Sequence, residues 1–280
     1  SQAFFSARSA GIFVAASAGN EGPGAATLGS PADAPWVLSV AASTHNRKYV
    51  NGLINMSGGA TAVPADITGA SVTSGFGPAT IVYAGDYGNA LCGEGTAEAP
   101  INPFLPGTFN GEIVVCDRGT FARVDKARFV GEAGAGGFVL ANDIDSGDSL
   151  VGDAYAIPGV HISYADGLVL KAWLASGSGH TGTIAGTSAN EDFANGDVMA
   201  SFSSRGPNPA AADLVKPDIT APGVDILAAF NTPVGSLGTD PEFGIIRGTA
   251  MSSPHMAGPA ALMRAVHPDW TPEAVTAVVV

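Results

Sequence analysis

Asn20 closes Phe13-Val14-Ala15-Ala16-Ser17-Ala18-Gly19, an apolar run of strand length that ends in small residues. A carboxamide at a strand's end offers N–H donors, and Gly19, lacking a Cβ, lets the backbone approach a ligand closely. Such a donor suits a tetrahedral oxyanion; a plain turn asparagine is the other reading. A second source of donors lies far along the chain, in Gly248-Thr249-Ala250-Met251-Ser252-Ser253-Pro254-His255-Met256-Ala257-Gly258. Thr249 and Ala250 open a predicted helix there, where free backbone N–H groups point outward and the helix dipole favours negative charge. Ala250 can supply only its N–H, because a methyl group has no Oγ with which to attack a carbonyl. Ser252 and Ser253 do carry hydroxyls. Two residues turn a helical side chain by about 200° and three by about 300°, so neither faces the point that Ala250 faces.

The elements that must position these groups read as parallel α/β. Residues 2–10 have helical composition and end at Gly11, a C-cap. Ile12–Ala16 is a strand, Ser17–Pro23 a turn-rich loop, and Trp36–Ala42 the next buried strand. Between about Thr61 and Asn190 the texture changes. Short β-type runs (Thr80–Ala84, Glu112–Cys116, Gly137–Ala141, Ile157–Ile162, Gly182–Ala185) alternate with turn residues, and Arg123–Ala133 and Ala165–Ala175 have helical spacing. This predicts a small β-rich α+β domain inserted into the α/β one. After Asp197 the first texture returns: a strand at Met199–Phe202, a Pro/Gly-rich stretch to Pro222, a strand at Asp225–Ala229, then the helix near Ala250. Val14 and Asp225–Ala229 are expected in one sheet. Pro254 falls in the helix's first turn, where a missing N–H costs little. Pro259 is interior, where proline costs ~3 kcal/mol, and Gly258 eases the kink.

Apolar residues make up 46% and charged residues 13%, enough for a sizeable core. The 38 Gly and 19 Pro imply many turns and close backbone approaches. A net charge of −13 opposes nucleic-acid and anionic-membrane partners, and no apolar run approaches the ~18–20 residues of a membrane span. The start at Ser1, without an initiator Met or secretory apolar region, and the finish inside Val278-Val279-Val280 both read as cut ends, with any signal peptide upstream. Gly134-Ala135-Gly136-Gly137 follows a helix and precedes a strand, the wrong order for a dinucleotide loop. Asp143, Asp145, Asp148 and Asp153 crowd one loop, but Gly147 falls where an EF-hand ligand should be. A solvated acidic loop is the better reading. No cofactor is expected, with a structural calcium ion left open, and no zinc or phosphate-loop pattern is present.

Four separated segments, in order, resemble subtilisin-like serine proteases: Phe13–Gly22; Ser30-Pro31-Ala32-Asp33 through Ala42; Ala200–Pro207 with Lys216–Gly223; and Gly248–Gly258. The resemblance implies a subtilisin-like parallel sheet flanked by helices, truncated here, and a polypeptide substrate cleaved through a Ser-His-Asp triad. It implies an oxyanion hole made by Asn20 and the Ala250 N–H, with Ala250 where the nucleophilic serine stands in the family. Ser17, Ala18, Gly19 and Thr249 would line the substrate site, and His255 would serve packing. The family's catalytic Asp and His precede the Asn segment. No such stretch precedes Asn20, and His45, His161, His180 and His267 all follow it. The expectation is therefore an inactive chain of an endopeptidase family, or a pseudoprotease that binds peptides without cleaving them. Gly111–Gly119, Lys126-Ala127, Glu132–Asn142, Ile157–Val160 and Ile162-Ser163 resemble a protease-associated (PA) domain, giving 1–60 and 191–280 to the catalytic fold and 61–190 to the insert. In subtilases with this insert the cysteines pair. Cys92 and Cys116 would then close a loop of about 25 residues worth roughly 3 kcal/mol and require an oxidising, extracellular compartment. Two reduced thiols are the alternative. Oligomeric state is unreadable.

Overall fold

The computed structural model describes residues 2–229 and 243–280. The chain forms two compact units: Ser1–Lys48 with Glu191–Ala228 and Ile246–Val280, and Tyr49–Asn190 with Ala229–Ile245.

In the first unit, strand Leu38–Ser43 is buried at every residue. It lies between Ala15–Ser17 and Ile219–Pro222 and runs parallel to both, with Val40 opposite Ser17 on one side and Ile219 on the other. Burial on two faces explains its lack of polar alternation. Leu38 and Val40 point to one face, where they cluster with Ala221, Met256 and Val279. Val37 and Ala41 point to the other, among Ala16, Ala18, Leu28, Ala32 and Ala34. Helix Thr249–Val266 runs unbroken through Pro254 and Pro259. A further helix, Pro272–Val279, takes up the terminal apolar run, with Thr271 capping the Ala274 N–H and Pro272 in its first turn.

Three expectations fail here. Strand Ile219–Pro222 lies inside the Pro/Gly-rich stretch, where no strand was expected; its proline is tolerated because this is an edge strand among the described residues. Lys216 fastens it, donating from Nζ to the Val37 carbonyl at 2.8 Å and to Asp218 Oδ2 at 2.6 Å. Strand Ile226–Ala229 is not in the sheet with Val14's neighbours; it pairs with Phe243–Ile246. Met199–Phe202 makes only an isolated bridge from Met199 to Ser43 and then turns, with Ser203 N–H bonding the Ala200 carbonyl.

In the second unit, Gly159–Ile162, Gly137–Ala141, Ile113–Asp117 and Phe76–Tyr83 form a parallel run, in that order. Thr181–Ile184 continues the sheet antiparallel to Phe76–Tyr83, followed by Arg47–Ser57 and Ser188–Glu191. Helix Arg123–Glu132 joins the parallel strands Ile113–Asp117 and Gly137–Ala141 as an α/β crossover, whereas Tyr164–Leu174 leads into the antiparallel strand Thr181–Ile184. Leu53, Ile113, Val139, Ile162, Leu170 and Trp173 fill one face. Phe104, Phe109, Val130, Phe138 and Leu140 fill the other. The main segment of this unit is Tyr49–Asn190. Arg47–Ser57 was unreadable as a strand because Asn51, Gly52 and Asn55 interrupt its apolar pattern. Cys92 and Cys116 are disulfide-bonded, with Cα atoms 5.8 Å apart.

Candidate functional site

Strand Ala15–Ser17 delivers Asn20 to the carboxyl end of the parallel sheet, and helix Thr249–Val266 begins beside it. Thr249 is the joint. Its backbone N–H donates to Asn20 Oδ1 at 2.9 Å, and its hydroxyl donates to the same oxygen at 3.0 Å. That hydroxyl accepts in turn from the Gly19 N–H at 3.2 Å. With Oδ1 receiving two donors, the orientation of the amide is fixed: Nδ2 is the outward atom. Among the described residues Nδ2 has no protein acceptor.

The first turn of the helix accounts for its other donors. Thr249 N–H goes to Asn20, and Met251 N–H goes to the Gly248 carbonyl at 2.9 Å. The Ala250 N–H between them has no acceptor among the described residues. Both donor nitrogens lie close to one point. The Cβ that any side chain at Gly248 would carry stands 3.6 Å from Asn20 Nδ2 and 3.8 Å from Ala250 N. Gly248 is held at φ 150°, with its own N–H on the Gly223 carbonyl. Glycine there leaves open the space between the donors, and Asn20 and Ala250 are exposed.

Asn20 is held from behind by a buried serine. Ser204 donates from its backbone N–H to the Gly19 carbonyl at 2.9 Å and accepts the Glu21 N–H on its Oγ at 3.1 Å. It thus grips the residues on both sides of Asn20. A Cβ on Gly19, at φ 111°, would lie 2.7 Å from that Oγ. Sequence reasoning missed Ser204: no local pattern marks a serine whose partners lie about 180 residues away.

Other expected site residues are placed differently. Ala18 is fully buried in the core, so its methyl does not line a cleft. The strand's alternation sends Ala16 and Ala18 inward and leaves Ser17 and Gly19 partly exposed. Thr249 is 1% exposed; it acts on Asn20 rather than on anything in the open space. Ser252 is fully buried beside Gly223, its Oγ without a hydrogen-bond partner among the described residues. His255 is exposed, its Nδ1 on the Met251 carbonyl of its own helix, and so is not part of the packed core among the described residues. In the acidic loop Asp153 turns to Arg123 in a two-pronged ion pair, and Asp143 accepts the Ser146 N–H. No group of three or more His, Cys, Asp and Glu side chains among the described residues is arranged to hold a metal. No helix among them is long and apolar enough to cross a membrane.

The whole chain, residues 1–280, matches the model of the subtilase family, Peptidase S8. Subtilisin-like protease SBT1.6 of Arabidopsis thaliana is 38% identical over 279 residues, covering 97% of this chain and 35% of that protein. Subtilisin-like protease SBT1.4 of the same plant is 38% identical over 291 residues, covering 99% of this chain and 35% of that protein. SBT1.5 is 36% identical, covering 97% and 36%. The chain therefore spans about a third of the length of the curated relatives it matches. With an asparagine side chain and a helix-opening N–H brought to one point, and with its full length matched, the chain belongs to the subtilase family of serine-type peptidases.

Proposed function

We propose that this chain carries the oxyanion-binding side of a secreted subtilisin-like endopeptidase fold, interrupted by a PA domain at about 61–190, and that it does not itself hydrolyse peptides. The observation that carries this reading is the convergence of Asn20 Nδ2 and Ala250 N on one open point. An anionic tetrahedral intermediate needs two preorganised donors at such a place. The nucleophile is another matter. Ala250 offers no Oγ, Ser252 is buried, and no histidine among the described residues hydrogen-bonds to Asn20, Thr249 or Ala250. The disulfide supports an oxidising compartment, and the parallel run and helices of the second unit support the PA assignment.

The test is hydrolysis of a chromogenic peptide. No turnover above background is expected, since an oxyanion hole alone gives only ~10³–10⁴-fold over water. Turnover abolished by a serine-directed organophosphate would overturn the reading. A second reading, peptide binding without cleavage, is favoured by the same site: the donors persist where the nucleophile does not. Fluorescence titration with a labelled peptide should then show binding that Asn20→Leu weakens about 10-fold or more. Equal affinity of the two chains would exclude it.

A further inference from the structure

Asn55-Met56-Ser57 is the one Asn-X-Ser/Thr triplet with X other than proline in the chain. We infer that Asn55 is the acceptor of an N-linked glycan. Such a triplet alone is a common accident; its setting is not. Strand Arg47–Ser57 pairs with Thr181–Ile184 so that Ser57 opposes Thr181 while Ile54 opposes Thr183. Asn55 and Met56 together face a single residue, which is a β-bulge. Asn55 takes the left-handed conformation of the bulge, at φ 52°, with its N–H on Asp66 Oδ1. Its side chain is exposed and makes no hydrogen bond among the described residues, whereas Met56 turns into the core. The carboxamide is thus the one group of the triplet pointing freely to solvent, where a bulky polar chain is accommodated without disturbing the sheet.

The donor is an oligosaccharide linked to a lipid diphosphate. Asn55 Nδ2 forms a bond to its anomeric carbon, the anomeric C–O bond breaks, the lipid diphosphate leaves with the electron pair, and a base on the transferase takes one Nδ2 proton. Ser57 Oγ is engaged with Thr181 Oγ1 at 2.8 Å across a separation of 124 residues. Transfer therefore precedes the pairing of these strands, while the nascent triplet is still extended.

The inference rests on the extracytoplasmic reading above, and the test separates the two. The chain is secreted from a eukaryotic host behind a signal peptide and mapped by mass spectrometry. A glycan on Asn55, released by peptide-N-glycosidase, is expected. Ser57→Thr should keep it, while Ser57→Ala and Asn55→Gly should lose it, the glycine preserving the left-handed bulge. Unmodified Asn55 in the secreted chain, or a glycan that survives Ser57→Ala, overturns the proposal. The Cys92–Cys116 bond, read in the same digest, reports independently on the compartment.

Discussion

The two units hold themselves together by different means. The second buries large side chains: Leu53, Ile113, Phe138, Leu140, Ile162 and Leu170 are all fully enclosed, and a disulfide closes its loop. The first buries mostly small ones, with Ala16, Ala18, Ala32, Ala34, Ala41 and Ala42 in its interior beside Ser39, Ser203, Ser204 and Ser252. Its long helix buries only Thr249, Ser252 and Ala260, while Leu262 and Val266 are 71% and 73% exposed. Burial at about 25 cal/mol per Å² rewards alanine little. What positions the first unit's parts is close approach and hydrogen bonding. A Cβ on Gly22 would meet the Ser203 carbonyl at 2.0 Å, and one on Gly223 would meet Ser252 Oγ at 2.2 Å. A site made of backbone and amide donors needs positions fixed to fractions of an ångström. Clearances and hydrogen bonds set those; bulk does not.

The strongest break of this contrast is Phe138→Ala. Phe138 is fully buried and meets Tyr155 edge-on at 4.9 Å between centroids. Truncation should lower the second unit's unfolding free energy by about 3–5 kcal/mol. Peptide-resolved hydrogen exchange should show the loss across 113–117 and 137–141 and little change across 38–43. Equal loss in both would show that the units do not owe their stability to separate causes.

A smaller effect is expected at Gly19→Ala. The substitution places a methyl against Ser204 Oγ and forces alanine to φ 111°. A cost of about 2 kcal/mol to the first unit follows. Ser204→Ala removes the obstructing oxygen along with the Glu21 bond, so the double variant should lose less than the two singles together. Strict additivity, measured by denaturant unfolding, would mean that Ser204 does not set the Asn20 turn.

The smallest effect concerns Lys126, which is buried, donates to the Leu91 carbonyl and lies 5.4 Å from the Phe121 ring centre. Burial pushes its ammonium down to about 8, against the attraction of Asp117 and Asp143. Below that pH both folded and unfolded chains hold the proton. Between about 8 and the ordinary lysine value the unfolded chain holds a proton that the folded chain does not, so stability rises as pH climbs. The second unit's urea midpoint should therefore increase from pH 7 to 9.5, and Lys126→Met should flatten that slope. A wild-type midpoint that falls over this range would show that the buried ammonium is not the titrating group.

Much of the fold was legible because burial writes periodic patterns. Gly137–Ala141 is a strand at the expected bounds, and helices Arg123–Glu132 and Tyr164–Leu174 lie within a residue of theirs. Elements with atypical composition were not legible. Ile219–Pro222 ends in proline, and Arg47–Ser57 is broken by Asn and Gly, yet both enter sheets because neighbours supply their hydrogen bonds. Asn20 and Ala250 were identifiable as candidate donors from local chemistry, an amide after a strand and an N–H at a helix start. Their meeting was implied by the family resemblance and not by that local chemistry. Only the tertiary structure decided that Thr249 fixes the Asn20 amide, that Ser204 grips both of its neighbours, that Ala18 turns inward and that Gly248 leaves the space open. Local sequence specifies which groups a residue can offer and which backbone conformation it prefers. Which groups meet depends on hydrogen bonds across about 180 to 230 positions, and no short-range pattern encodes those.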